Sequence, residues 1–186
     1  MKTTGCLYLL IILFTFNSYS LEAQKMHIKS SNISFFSDGL LEDIAAVNTA
    51  SQAILNLVDG TFVLRIPITS FEFPNQLMQE HFNENYMEST KYPKATFSGM
   101  IENIGMVEVT TDGTYSCSVS GKLSMKDVTK EVSTTATFTV KGGIVNAKAV
   151  FNVNPADYNV EIPRTVINKI SDNIKISIDA DYAHQH

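Results

Sequence analysis

The chain has 186 residues, 44% of them hydrophobic and 18% charged, with a formal net charge of −5. An acidic chain without a Lys/Arg cluster argues against nucleic acid, where basic contacts to phosphates supply most of the affinity. The same balance argues against electrostatic docking on anionic lipid. No apolar run reaches the roughly 20 residues that a spanning helix needs, so stable membrane insertion is not expected.

The N-terminus reads as an export leader. Lys2 supplies a positive start, and Leu7 to Phe16 (LYLLIILFTF) forms an uncharged apolar run too short to span a bilayer. Asn17, Ser18 and Ser20 restore polarity, and Leu21-Glu22-Ala23 brings a small residue to a cleavage position. These features predict a signal peptide over residues 1–23, with Ser20 the alternative cut, and one domain over 24–186 in the periplasm or outside the cell. Cys6 precedes the apolar run, so acylation there is not expected. Cys117 then remains as the sole mature cysteine, without an internal disulfide. Stability must come from packing, and a chain of this size buries about 70% of its unfolded surface.

Alternation dominates the rest of the chain. Leu41 to Val58 is ambiguous: Ile44, Val47, Ile54 and Val58 fit a helix, whereas Val47-Asn48-Thr49 and the Asp59-Gly60 turn favour two strands. Two strands are expected. Phe62, Leu64, Ile66 and Ile68 share one face of the next strand, with Thr61 and Arg65 on the other. Between Asn75 and Met87, Leu77, Met78, Phe82 and Tyr86 fall at helical spacing on one face.

Tyr115, Cys117, Val119, Gly121 and Leu123 alternate with Ser116, Ser118, Ser120 and Lys122. Ala136, Phe138 and Val140 alternate with threonines, and Val145, Ala147, Ala149 and Phe151 repeat the pattern. Pro163 is placed to open a short turn carrying Val166, Ile167 and Ile170. The last strand alternates Ile174, Ile176, Ile178, Ala180 and Tyr182 against Lys175, Ser177, Asp179 and Asp181. Period two means one dry face and one wet face. Asp112-Gly113 and Gly142-Gly143 sit between runs, where hairpin turns need positive φ. The expected fold is all-β: a single antiparallel up-and-down, lipocalin-like β-barrel of about eight strands, with one or two short helices.

The dry face mixes large residues with Gly121, Ala136, Ala147, Ala149 and Ala180, which could leave an apolar lumen; large residues across the barrel could equally fill it. Alternation nominates the lining of such a lumen. From the first half come Phe62, Leu64, Ile66 and Phe97; from the second come Tyr115, Val119, Phe138, Val140, Phe151, Ile176 and Ile178. Met78 and Phe82, with Phe71, Phe73 and Met87, are nominated for a helix-side wall or lid. Each of these side chains would serve equally well in an ordinary core.

Four segments carry a family likeness. Ser89–Gly99 (STKYPKATFSG) follows the helical stretch LMQEHFNENYME. Gly121-Lys122-Leu123-Ser124-Met125 leads to Val128-Thr129-Lys130-Glu131-Val132. Phe151-Asn152-Val153 precedes Asp157-Tyr158, and Ile33-Ser34-Phe35-Phe36-Ser37 opens the domain. In order and spacing these resemble the YceI-like family of bacterial exported proteins across nearly the whole mature chain. One departure is Asp127, where the family usually has glycine before Val-Thr-Lys; Asp tolerates turn geometry. The resemblance implies a lipocalin-like barrel with a hydrophobic tunnel and an apolar partner, a polyisoprenoid or quinone-type lipid, as its bound molecule. In the Lys91-Tyr92-Pro93 motif, Pro93 suits a strand entry, and Tyr92 suits either a structural corner or a contact to a ligand headgroup.

Enzymatic chemistry is not expected. No G-x-S-x-G elbow occurs, and His27, His81, His184 and His186 lack the neighbours that a metal site or a nucleophile–base pair needs. No cofactor or metal is expected. Three functions stay open: a carrier of an isoprenoid-type chain, a structural or stress-related envelope protein with a side-chain-filled barrel, and an enzyme acting on a bound lipid. The oligomeric state is likewise open, a dimer included.

Overall fold

In the computed structural model, residues 25–39, 43–162 and 171–184 are described. The leader and the turn expected around Pro163 lie outside them. Among them ten strands occur in chain order: β1 (Lys25–Ser37), β2 (Ile44–Asn48), β3 (Gln52–Asn56), β4 (Thr61–Pro67), β5 (Phe71–Glu72), β6 (Lys94–Ile101), β7 (Gly113–Met125), β8 (Val128–Lys141), β9 (Ile144–Val153) and β10 (Ile174–His184). Every pairing is antiparallel. Strands β10, β9, β8, β7, β6, β4, β3 and β1 neighbour one another in that order, and β1 pairs back onto β10 to close the barrel. Closure leaves no free edge within this ring. The expected all-β barrel is the observed one.

The long β1 makes closure possible. Its first residues pair with β3 (Met26 opposite Leu55), while its last five pair with β2 (Phe35 opposite Ala46). Its other side runs along β10, with a register shift between Ile28 and Ser30. The segment Leu41 to Val58 thus contributes two strands, and Asn48 shapes the turn between them. Fully buried Asn48 donates from Nδ2 to the Pro67 carbonyl (2.7 Å), and its Oδ1 accepts from the Ala50 N–H and the Ser51 hydroxyl, both at 3.0 Å. These partners, two of them in the turn and one at the end of β4, satisfy the buried amide, which offsets the cost of removing it from water.

Turn chemistry agrees with the sequence at two places and departs at two. Gly60 (φ +75°) closes β3 to β4, and Gly142 and Gly143 (φ +58° and +78°) close β8 to β9. Asp112-Gly113, by contrast, makes no hairpin. Strand β6 reaches β7 through a longer loop with a 3-10 turn at Ile104–Met106, and Gly113 starts the strand. Asp112 instead accepts from the Gly142 N–H (2.9 Å) and braces the neighbouring hairpin. At the β7–β8 turn the positive φ falls on Lys126 (+51°), not on Asp127.

The helical expectation between Asn75 and Met87 is met in two pieces. An α-helix, α1 (Gln76–His81), begins at Asn75, whose Oδ1 accepts from the Leu77 N–H (2.9 Å). It continues as one π turn over Phe82–Tyr86, where the Met87 N–H reaches back five residues to the Phe82 carbonyl. The wider turn places Tyr86 and Met87 together on the inner side. Leu77 departs from expectation: it is 57% exposed and turns away from the barrel.

Candidate functional site

The barrel interior is divided between its two ends. At one end, Leu55, Leu64, Val119, Phe138, Val140, Val145, Ala180 and Tyr182 pack as a solid core. Buried Ile101 at the end of β6, with Ile104 and Val107 of the β6–β7 loop, closes that end. The other end, beneath α1 and the π turn, holds a cavity of about 220 Å³.

Strand ends and the helical segment build the cavity wall together. Ile33 and Phe35 come from β1, Ile66 from β4, Ala95 and Phe97 from β6, Leu123 and Met125 from β7, Phe151 and Val153 from β9, and Ile174, Ile176 and Ile178 from β10. Met78, His81, Phe82, Tyr86 and Met87 form the helical side. Four rings pack there as one cluster: Phe35 stacks on Phe82 with centroids 5.5 Å apart, and Phe71 and Phe73 lie 5.6 and 5.0 Å from Phe82.

Electrostatically the cavity is bare. No carboxylate, lysine or arginine lines it among the described residues; its polar side chains are Ser34, Ser37, His81 and Tyr86. The Ser37 hydroxyl already accepts from the Ser171 N–H (2.9 Å). Burial pushes the Tyr86 phenol above its usual range, so it stays neutral. Exposed His81 marks the side on which the cavity meets solvent. A surface of this kind can hold an apolar chain by area burial and offers nothing to neutralise a buried charge.

The nominated lining residues separate by barrel end. Ile66, Phe97, Phe151, Ile176, Ile178, Met78 and Phe82 stand on the cavity wall, as do Phe71, Phe73 and Met87. Phe62, Leu64, Tyr115, Val119, Phe138 and Val140 do not; they belong to the packed half. Alternation identifies which face points inward but not which end of a strand is hollow. Phe35, Leu123 and Val153 also line the cavity, outside the nominated set, although their alternation carries the same signal.

The small inward residues also act differently from expectation. Gly121, Ala136, Ala147, Ala149 and Ala180 are absent from the cavity wall. Two of them sit beside rings: Ala147 is opposite Phe138, and a Cβ on Gly121 would lie 3.0 Å from Cε2 of Phe97. The void arises from the helical roof over the open barrel end.

Beside the cavity, Lys126 Nζ donates to the Tyr86 carbonyl (3.2 Å), the Asn159 carbonyl (3.0 Å) and Glu88 Oε1 (2.5 Å). The Tyr92 hydroxyl donates to Asp127 on the same turn, and Tyr92 does not line the cavity. The Lys91-Tyr92-Pro93 motif is therefore a corner that pins the strand entry to the β7–β8 turn. Among the described residues, no group of His, Cys, Asp and Glu could hold a metal, and no helix is long and apolar enough to cross a membrane.

A YceI-like domain model matches residues 19–182. The chain belongs to the YceI-like family. A polyisoprenoid binding domain from Saccharophagus degradans, implicated in plant cell wall breakdown, superposes with a TM-score of 0.76 at 14% identity, over 88% of this chain and 99% of that one. Burkholderia cenocepacia BcnA gives 0.66 at 17% identity, over 81% and 95%. The Campylobacter jejuni YceI protein gives 0.54 at 17% identity, over 71% and 78%. At these identities the structures establish a shared YceI fold. No curated protein sequence matches the chain.

Proposed function

We propose that this YceI-like protein is an exported carrier that holds an isoprenoid-type or similar long apolar chain in the open end of its barrel, for transport, storage or sequestration. One observation carries the reading: a cavity of about 220 Å³ lined almost wholly by aliphatic, aromatic and methionine side chains. An empty apolar void forfeits dispersion contacts with its lining, whereas each buried methylene of a guest contributes about 0.8 kcal/mol. The polyisoprenoid-binding relative from Saccharophagus degradans supports the same ligand class. The apolar leader at residues 7–16 supports export to the periplasm or beyond. In this reading the protein acts by binding, since the described wall is almost wholly apolar and His81 is its one imidazole among the described residues.

The packed half favours a second reading, an envelope protein whose barrel serves as a stable scaffold without a specific guest. Mass spectrometry of an organic extract separates the two. The mature protein, purified from its native envelope without detergent, is expected to release a stoichiometric isoprenoid-type lipid. A protein that comes clean, and stays empty after incubation with quinones and prenols, would overturn the carrier and leave the scaffold.

A further inference from the structure

We propose that Phe97, backed by Phe62, is a chain-length stop that limits the guest to about two isoprene units inside the barrel. The inference rests on the carrier reading and specifies which chains the same cavity takes.

Phe97 is the point at which the interior changes from hollow to solid. Its ring lines the cavity and lies 5.6 Å from Phe151, which lines it too. On its other side it meets Phe62 edge-on at 5.0 Å, and Phe62 is no longer on the cavity wall. The backbone fixes this arrangement. Gly99 and Gly121 stand opposite each other on β6 and β7, and Phe62 pairs with Gly99 from β4. A Cβ on Gly121 would press on the Phe97 ring at 3.0 Å, and one on Gly99 would meet the Ser120 carbonyl oxygen at 2.1 Å. Gly121 thus leaves room for the Phe97 ring, while Gly99 lets β6 and β7 approach closely beside it.

Above the stop, the space is small. An engineered apolar cavity of about 150 Å³ takes one benzene ring. On that scale the ≈ 220 Å³ here has room for about nine or ten carbon atoms, or two isoprene units. Only methylenes that leave water add affinity, so further units of a chain entering end-first contribute little.

Titration of the folded protein with linear prenols of one to four isoprene units tests the stop. For wild type, affinity should rise by about tenfold or more from one unit to two and then level off. Phe97→Ala and Phe62→Ala should each move the plateau toward three units, the first by removing the ring that ends the cavity and the second by letting Phe97 recede. Either variant suffices if the other loses its cooperative melt, and the wild-type plateau needs no variant at all. Affinity climbing steadily to four units in wild type, or plateaus unmoved in the folded variants, overturns the stop while leaving the carrier standing. A wild-type protein that binds no prenol overturns both.

Discussion

The Lys126 ammonium and the Glu88 carboxylate approach to 2.5 Å, with the Lys126 side chain 7% exposed and Glu88 45%. The contact joins the β7–β8 turn to the exit of the π turn, so it fastens the cavity roof to the barrel rim. Its remaining hydrogen bonds, to the Tyr86 and Asn159 carbonyls, tie in the chain after β9 as well. All three protons of the ammonium are thereby used, which makes Lys126 a clamp and leaves it no donor for a guest.

Lys126→Met should therefore loosen the roof without changing the wall. Two carbonyls lose a charged donor, which costs about 2 kcal/mol in all, with the exposed Glu88 contact adding little. Urea unfolding reads the loss, and faster hydrogen exchange confined to residues 82–92 would locate it. The Lys126 hydrogen bond holds the Glu88 pKa below its ordinary value. Its contribution is present above the unfolded carboxyl pKa and fades as pH falls through the lower folded one. Glu88→Gln should flatten that small acid limb; an unchanged limb would show that the pair is idle.

The two barrel ends should answer differently to truncation. Phe138 is 2% exposed within the packed half, so Phe138→Ala should cost about 3–5 kcal/mol. Met78 is half-buried on the cavity wall with empty space beside it, and Met78→Ala should cost about 1 kcal/mol or less. Denaturant midpoints compare the two directly. Equal losses would mean that the hollow end is packed in solution.

Much of the fold is legible in the sequence alone. The runs Tyr115–Leu123 and Ile174–Tyr182 place their apolar residues inward without exception, because a half-buried strand has no other way to satisfy period two. Asn48 and Gly142-Gly143 likewise announce their turns through side-chain and backbone chemistry that is local. The features that stay hidden depend on contacts far apart in sequence. Asp112-Gly113 has the composition of a hairpin, yet the loop before it crosses the barrel end, so Asp112 braces another turn. The π turn needs the roof to pack against Phe35 and Phe71 before an extra residue is worthwhile. Gly121 and Ala147 suggest emptiness when read singly, and only the fold shows that neighbouring rings fill the room.

Gly99→Ala tests the close approach of β6 and β7 beside Phe97. The new methyl would sit 2.1 Å from the Ser120 carbonyl oxygen and 2.4 Å from the Gly121 Cα, both main-chain atoms that cannot swing aside. Relief requires the β6–β7 pairing to spread, so the loss should reach about 3 kcal/mol, the upper range for overpacking. A thermal melt measures it. Gly105→Ala, where a Cβ meets nothing within 4 Å, serves as the control and should melt close to wild type.

Tyr182 sets the behaviour at high pH. Burial in the packed half pushes its phenol up to about 12 from an ordinary value of 10.0. Below pH 10 both folded and unfolded chains carry the proton, and the native state keeps its full stability. Between those two values the unfolded chain ionises while the folded one resists, so the unfolded state binds fewer protons and stability falls as pH rises. The slope from this one group approaches about 1.4 kcal/mol per pH unit. Tyr182→Phe keeps the ring and removes this ionisation, so its midpoint in urea should fall less steeply than that of wild type from about pH 9.5 to about 11.5. The remaining slope comes from Tyr86 and Tyr158, whose phenols burial also raises. Parallel decline of the two proteins would place the alkaline weakness elsewhere, and would mean that the Tyr182 hydroxyl reaches solvent in the native barrel.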